Sequence, residues 1–265
     1  MPLERRSRRP HAILLSAGQG RRLLPLTADT PKCLLPADGD RTVLELQLEA
    51  LAACDVTSAT VMVGFGRDQV EAQLSRRPVP GITARTRYNP FFAVSDNLVT
   101  CWLASADMRD DFILLNGDTL FEPAVLQRAL ASAGTVTVTI DRKPVYDDDD
   151  MKVVIGRDGR LQRVGKTIPP ADAHGEAIGL SVFRGTGSFA FRRALDHAMR
   201  DPTALRRWYL DVICTLARTL PVTCASIEGL WWCEIDTPAD FSAARAAFGQ
   251  RALEDQRLVE AAARA

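Results

Sequence analysis

The sequence predicts an α/β fold: one domain on a mixed, mostly parallel sheet flanked by helices, with a small substrate-side lobe. Three observations carry this expectation. The chain has 265 residues, 46% hydrophobic and 25% charged, which is ordinary globular usage and enough for a large core. Short apolar runs alternate with helical periodicity through the first half. The first and fourth of those runs stop at glycine-containing turns, Ser16-Ala17-Gly18-Gln19-Gly20 and Asn116-Gly117-Asp118, and a strand end is where ligands gather in a parallel sheet.

In chain order, residues 12–15 read as a first strand. Leu44, Leu48 and Leu51 recur at helical spacing and predict a helix over 42–54. Residues 60–63 are a second strand, 67–74 a short helix, 82–86 a third strand, 98–106 a helix and 112–115 a fourth strand. This alternation argues for a parallel sheet covered on both faces. The second half is less regular. Residues 136–140 read as a strand, and 152–155 with 161–164 as a hairpin around Asp158-Gly159. A strand at 178–183, helices at 188–199 and 204–220, and strands at 222–227 and 232–235 that close the sheet come next. A helix begins near Pro238. The expected organisation is a flexible N-terminus at 1–10, one domain at 11–248 and a helical tail at 249–265.

Composition excludes several classes of function. Lys and Arg number 33, as do Asp and Glu, so no global field draws the chain to nucleic acid or membrane. The basic run Arg5-Arg6-Ser7-Arg8-Arg9 reads as a solvated end. No apolar run has the length to span a bilayer, and none reads as a secretory signal. The six cysteines stand far apart with no CxxC pair, which fits neither a disulfide framework nor a zinc site. The expectation is a soluble, reduced, cytoplasmic protein, with its oligomeric state, homo-oligomer included, left open.

The chemistry concentrates in AILLSAGQGRRLLPLTADTPKCLLP, residues 12–36. A strand that stops at a glycine-rich turn is a common phosphate cradle. No Gly-Lys-Ser/Thr closes it, so it is not a Walker A loop. Leu23 stands where a dinucleotide loop needs its third glycine. Arg21, Arg22 and Lys32 lie close in sequence to the turn. Such cations suit a triphosphate, whose charge must be neutralised as pyrophosphate leaves. Two glycines alone would equally suit a plain turn with solvated arginines. Asp118 alone would equally suit a turn, and Asp236, before Thr237-Pro238, a helix cap.

The full pattern, Gly18-x-Gly20-x-Arg22-Leu23-x-Pro25-Leu26-Thr27 followed by Pro31-Lys32-x-Leu34-Leu35-Pro36, resembles the signature loop of the sugar-phosphate and phosphocholine nucleotidyltransferases. Ser16 departs from the usual alanine. The segments 88–104, 151–155, 165–183 and 232–241 look most like the phosphocholine cytidylyltransferase branch. The resemblance covers about residues 11–248. It implies a Rossmann-like, GT-A-type fold that transfers a nucleotide from a nucleoside triphosphate, CTP favoured, to a small phosphorylated or phosphonate acceptor with Mg²⁺. It implies that Ser16, Ala17, Gly18, Gln19, Gly20, Arg22, Ser95, Asn97 and Gly117 bind the nucleotide, and that Asp118 and Asp236 hold the metal. Lys32, Arg22 and Lys152 would balance charge during transfer. Tyr146, Asp150, Glu176, Gly179, Tyr209 and Trp231 would line the acceptor. Tyr146 precedes the run Asp147-Asp148-Asp149-Asp150, by default a solvated loop. Carboxylates beside aromatics also suit a cationic amine, and Trp208 and Trp232 are further candidates. The alternatives are a hexose 1-phosphate or inositol phosphate acceptor with UTP or CTP, or a non-catalytic nucleotide-sensing homologue.

Overall fold

The computed structural model describes residues 9–263, with side chains to residue 250. Most of the basic run at 5–9, and the side chains of the tail beyond 250, lie outside the described residues. β1 (His11–Ser16) leads through the glycine loop to a small hairpin, β2 (Pro36–Asp38) and β3 (Arg41–Thr42). Next come α1 (Val43–Ala52), β4 (Ser58–Val63), α2 (Arg67–Arg76), β5 (Thr83–Tyr88), α3 (Asn97–Leu103) and β6 (Phe112–Asn116). β7 (Thr119–Phe121), α4 (Pro123–Ala131), β8 (Val136–Asp141), β9 (Lys152–Ile155), β10 (Leu161–Gly165) and β11 (Gly175–Phe183) continue the chain. It ends with α5 (Thr186–Ala198), α6 (Tyr209–Leu216), β12 (Val222–Ser226), β13 (Trp232–Glu234) and α7 (Pro238–Ala263).

A nine-stranded sheet runs β10-β9-β11-β6-β1-β4-β5, with β8 paired to β11 and β12 to β8. β6, β1, β4 and β5 are mutually parallel. β11 is antiparallel to β6, β8 and β9. The expected mixed sheet is therefore parallel where the glycine loop arises and mainly antiparallel beyond β6. β1 is buried on both faces, as a central strand must be. Ile13 joins Phe112, Phe183, Phe191 and Tyr209 on one side. Ala12 and Leu14 join Leu44, Leu48 and Leu126 on the other. Thr42 and Glu45 form a reciprocal capping box that starts α1. No helix among the described residues is long and apolar enough to cross a membrane.

Two expectations are corrected. β13 does not close the main sheet. It pairs antiparallel with β7 in a separate two-stranded ribbon. The helix expected over 204–220 is broken: a 3-10 turn spans Pro202–Arg206, Arg207 and Trp208 are extended, and α6 then begins. Backbone bonds from Asp96 to Leu205 and from Leu98 to Arg207 hold this segment against the start of α3. Tertiary pairing there overrides a periodicity that ran through the break.

Candidate active site

β1 and β6 lie side by side and parallel, so their glycine turns emerge together. Gly117 N–H donates to Leu15 O at 3.2 Å. A Cβ at Gly117 would stand 2.5 Å from Ser16 Oγ and 2.7 Å from Leu15 O, so only glycine fits the approach. Gly20 takes φ 73°, and a Cβ there would stand 3.1 Å from the Lys32 side chain; the glycine lets Lys32 lie along the loop. The result is a cleft of about 420 Å³. Ser16, Ala17, Gly18, Gly20, Arg22, Lys32, Ser95, Asn97, Gly117, Asp118 and Asp236 all line it. Gln19 lies in an adjoining hollow with Arg21, Phe92, Ser95 and Arg206.

Lys32 sits between the two aspartates, its Nζ 2.8 Å from Asp118 and 2.6 Å from Asp236. Burial acts to lower the pKa of this ammonium, but the charges of Asp118 and Asp236 more than offset it, so it is held above its ordinary value. Two long-range contacts build this corner. Ile235 N–H donates to Asp118 O at 3.1 Å, tying the end of the β13 ribbon to the end of β6. Gln47, buried on α1, donates to the carbonyls of Asn116 and Thr119 at 2.8 Å each and fixes the turn that carries Asp118. Asp236 does not cap α7. Thr237 and Asp240 bond each other reciprocally at that terminus, which leaves the Asp236 carboxylate to Lys32 and to Arg22, 2.8 Å away.

Asp118 Oδ1 is buried and has no hydrogen-bond partner among the described residues. An orphaned carboxylate oxygen beside a second carboxylate suits a hard divalent cation. Mg²⁺ characteristically takes one or two carboxylates and completes its shell with water and phosphate oxygens. No set of three His, Cys, Asp or Glu side chains among the described residues would cage a metal unaided. A third carboxylate, Glu234, is sunk nearby; burial and the charges of Asp118 and Asp236 push its pKa up to about 8. Its position two residues before Asp236 on a short strand was the signal for it in the sequence.

A second compartment of about 180 Å³ adjoins this corner and shares Arg22, Asn97, Asp118, Trp208 and Asp236 with the cleft. Asp149, Asp150, Lys166, Glu176, Trp232 and Glu234 add to its lining. The aspartate run divides. Asp147 folds the turn by accepting from the Asp149 and Asp150 N–H groups, while Asp149 and Asp150 face the compartment. Asp149 is clasped by both Arg22 and Lys166. Lys143 Nζ lies 2.8 Å from Asp150 and 3.0 Å from Glu176. Burial, together with a hydrogen bond to Asp150, pushes the Glu176 carboxyl up to about 7 against the pull of Lys143.

Several expected residues stand elsewhere. Lys152 is buried, and its ammonium donates to the Asp147 and Asp150 carbonyls at 2.5 and 3.4 Å; it props the aspartate loop and lines neither space. Its near neighbour in the sheet register is Gly165 of β10, and the cation in the compartment is the next residue, Lys166. Tyr209 is fully buried. Its hydroxyl donates to Asn116 at 3.2 Å and its N–H to Asn97 at 3.1 Å. Trp231 packs edge-on to Phe248 at 5.0 Å in a cluster with Leu23 and Phe241. Tyr146 lines neither space. Gly179, at φ 74°, makes room for the Asn116 side chain, which a Cβ would approach to 2.5 Å. The aromatics that do line the compartment are Trp208 and Trp232. The break before α6 frees the first, and an indole bond to Asp141 at 2.7 Å fixes the second.

Comparison with known proteins places the chain in a family. A family model described as Nucleotidyl transferase matches residues 11–163. A CTP:phosphoglutamine cytidylyltransferase from Campylobacter jejuni is 22% identical over 87% of this chain and 97% of its own length. A CMP-5'-(3-aminopropyl)phosphonate synthase from Streptomyces rubellomurinus is 29% identical over 94% of this chain and 40% of its own. The chain thus spans half or less of the length of some curated relatives it matches. The solved CTP:phosphocholine cytidylyltransferase of Streptococcus pneumoniae shares the fold, with TM-score 0.72 and 20% identity over 91% of this chain and 99% of that one. The family model spans more than half of the residues and includes both strands that frame the cleft, so the chain belongs to the nucleotidyl transferase family.

Proposed function

We propose that this protein transfers CMP from CTP to a small phosphorylated or phosphonate acceptor that carries an amine, releasing pyrophosphate. The observation that carries this reading is the Lys32 ammonium held between Asp118 and Asp236 where the glycine loop meets the acidic compartment. An anionic oxygen of the acceptor attacks the α-phosphorus in line. One P–O bond forms, the bond to the β-phosphate oxygen breaks, and its electron pair leaves with pyrophosphate. The attacking group is already an anion at neutral pH, so no general base is needed. Backbone N–H groups of the glycine loop hold the nucleotide. Arg22, in the free protein tied to Asp149 and Asp236, exchanges those carboxylates for the β- and γ-phosphates. Lys32 balances charge at the α-phosphate. Asp118 and Asp236 would hold Mg²⁺, which supplies electrostatic stabilisation of phosphate oxygens. Lys166, which faces the compartment together with Arg22, takes the charge-balancing role expected of Lys152. Carboxylates on the compartment wall support a cationic acceptor over a sugar, whose hydroxyls call for neutral partners.

The test is pyrophosphate release with Mg²⁺. CTP, UTP, ATP, GTP and dTTP are crossed with phosphocholine, phosphoethanolamine, 2-aminoethylphosphonate, glucose 1-phosphate and inositol phosphate. Turnover with CTP and amine-bearing acceptors is expected. Turnover confined to a sugar or inositol phosphate would replace the acceptor and keep the chemistry, and silence across the panel would favour a nucleotide sensor.

A further inference from the structure

The cation on a small acceptor can be a primary ammonium or a quaternary one, and the two demand different walls. A quaternary nitrogen has no N–H and is held by several aromatic faces. A primary ammonium offers three donors and needs acceptors. Building on the proposed transfer to an amine-bearing acceptor, we infer that the inner compartment selects a primary ammonium, and that Glu176 and Asp150 are the residues that read it.

Glu176 and Asp150 come from β11 and from the loop before β9, and both line the compartment. Lys143, which does not line it, already places a primary ammonium at ordinary hydrogen-bond distances from the two, 2.8 Å from Asp150 and 3.0 Å from Glu176. The pair is thus shaped for N–H donors. Glu176 is only 6% exposed, and burial raises its pKa, so its negative charge is under-compensated. Glu234 is a third carboxylate on the same wall. Lys143 supplies one ammonium to two carboxylates, whose remaining lone pairs accept further N–H donors that a quaternary nitrogen does not carry.

The aromatic cage that a quaternary nitrogen needs is missing among the described residues. Tyr146, Tyr209 and Trp231 do not line the compartment. Trp208 does, but Lys166 Nζ already sits 5.1 Å from its ring centroid. Trp232 alone is left.

The experiment is an N-methylation series at fixed phosphonate: 2-aminoethylphosphonate and its N-methyl, N,N-dimethyl and N,N,N-trimethyl derivatives, with propylphosphonate as the control that lacks the ammonium, each with CTP, Mg²⁺ and the full chain. kcat/KM is expected to fall along the series, by about 10- to 100-fold at the trimethyl derivative, the loss of charge-assisted hydrogen bonds. Glu176→Gln should raise KM for the primary amine, flatten the series and leave KM for CTP in place. The wild-type series stands whether or not that variant folds. A trimethyl derivative turned over as well as the primary amine, or better, overturns the inference and spares the proposed transfer. Propylphosphonate turned over as well as the amines also overturns it. Turnover of sugar or inositol phosphates with none of the amines overturns both.

Discussion

The two walls of the cleft are built differently. The wall proposed for the nucleotide rises from adjacent parallel strands, β1 and β6, with Asp118 in the turn after β6, Lys32 on the segment after the glycine loop and Asp236 just after β13. Backbone bonds and Gln47 fix Asp118, and Lys32 is locked between two carboxylates. The acceptor wall rises from antiparallel β9, β10 and β11, the loop at 142–151 and the break before α6. Its groups, apart from Glu176 on β11, are carried by loops, and they are held by one another: Lys143 by Asp150 and Glu176, Lys166 and Arg22 by Asp149. Under the proposed function, chemistry shared by every substrate falls on the first wall. The identity of the acceptor can change on the other without disturbing it.

If the walls divide the labour in this way, the largest effect should come from the nucleotide wall. Asp118→Ala should lower kcat on the order of 10³-fold or more with every acceptor, measured as pyrophosphate release at saturating Mg²⁺; retained turnover would remove the metal role of that turn. Lys32→Met should cost about 10²- to 10³-fold in kcat/KM. It should also loosen the corner by leaving Asp118 and Asp236 without their counter-ion, which a thermal melt would register.

Smaller effects separate the aromatics on the acceptor wall. Trp208→Ala should raise the acceptor KM several-fold, a contact worth about 1 kcal/mol, with a smaller rise in the nucleotide KM because Trp208 also borders the cleft. Trp231→Ala should do the opposite: about 2 kcal/mol of stability is lost from its packing on Phe248, with little change in either KM. Equal effects of the two on the acceptor would erase the distinction drawn between them.

The smallest effect is a pH dependence. Glu176 holds its proton up to about 7 in the folded chain, against 4.5 as the ordinary value. Between those values the folded state binds the extra proton. The stability this carries is complete below about pH 4.5 and is lost as pH rises through 7. Melting temperatures of wild type and Glu176→Gln should therefore diverge from pH 5 to pH 8, the Gln variant gaining on wild type. Parallel curves would show that Glu176 is not buried in the way described.

Much of this site was readable before any fold was known, because its signals are local. A strand that ends in Gly18-x-Gly20 with Arg22 and Lys32 following puts backbone donors and cations within one short segment, and no distant contact is needed to see their use. The strands and helices of the first half are local too: central strands buried on both faces are apolar throughout, and Leu44, Leu48 and Leu51 mark one helix face. The corner at Asp118 and Asp236 was readable only through a family pattern, since what joins these two carboxylates is the ribbon of β7 and β13, a pairing between segments more than a hundred residues apart.

The acceptor wall was not readable in the same way. Lys152 stands two residues after the acidic run and Lys166 fourteen residues further on, and Trp208, Tyr209, Trp231 and Trp232 are two adjacent aromatic pairs. In each pair one member faces the compartment and the other packs elsewhere. Side chains of neighbouring residues point in different directions, and which one meets the cleft follows from the register of a strand or the exact residue at which a helix begins. The chain's own pattern therefore settles which chemistry is present: phosphate cradle, cations, carboxylates. The packing of distant segments settles which copy of each group does the work, because long-range pairing outweighs local preference wherever a strand edge or a helix start can shift by a single residue.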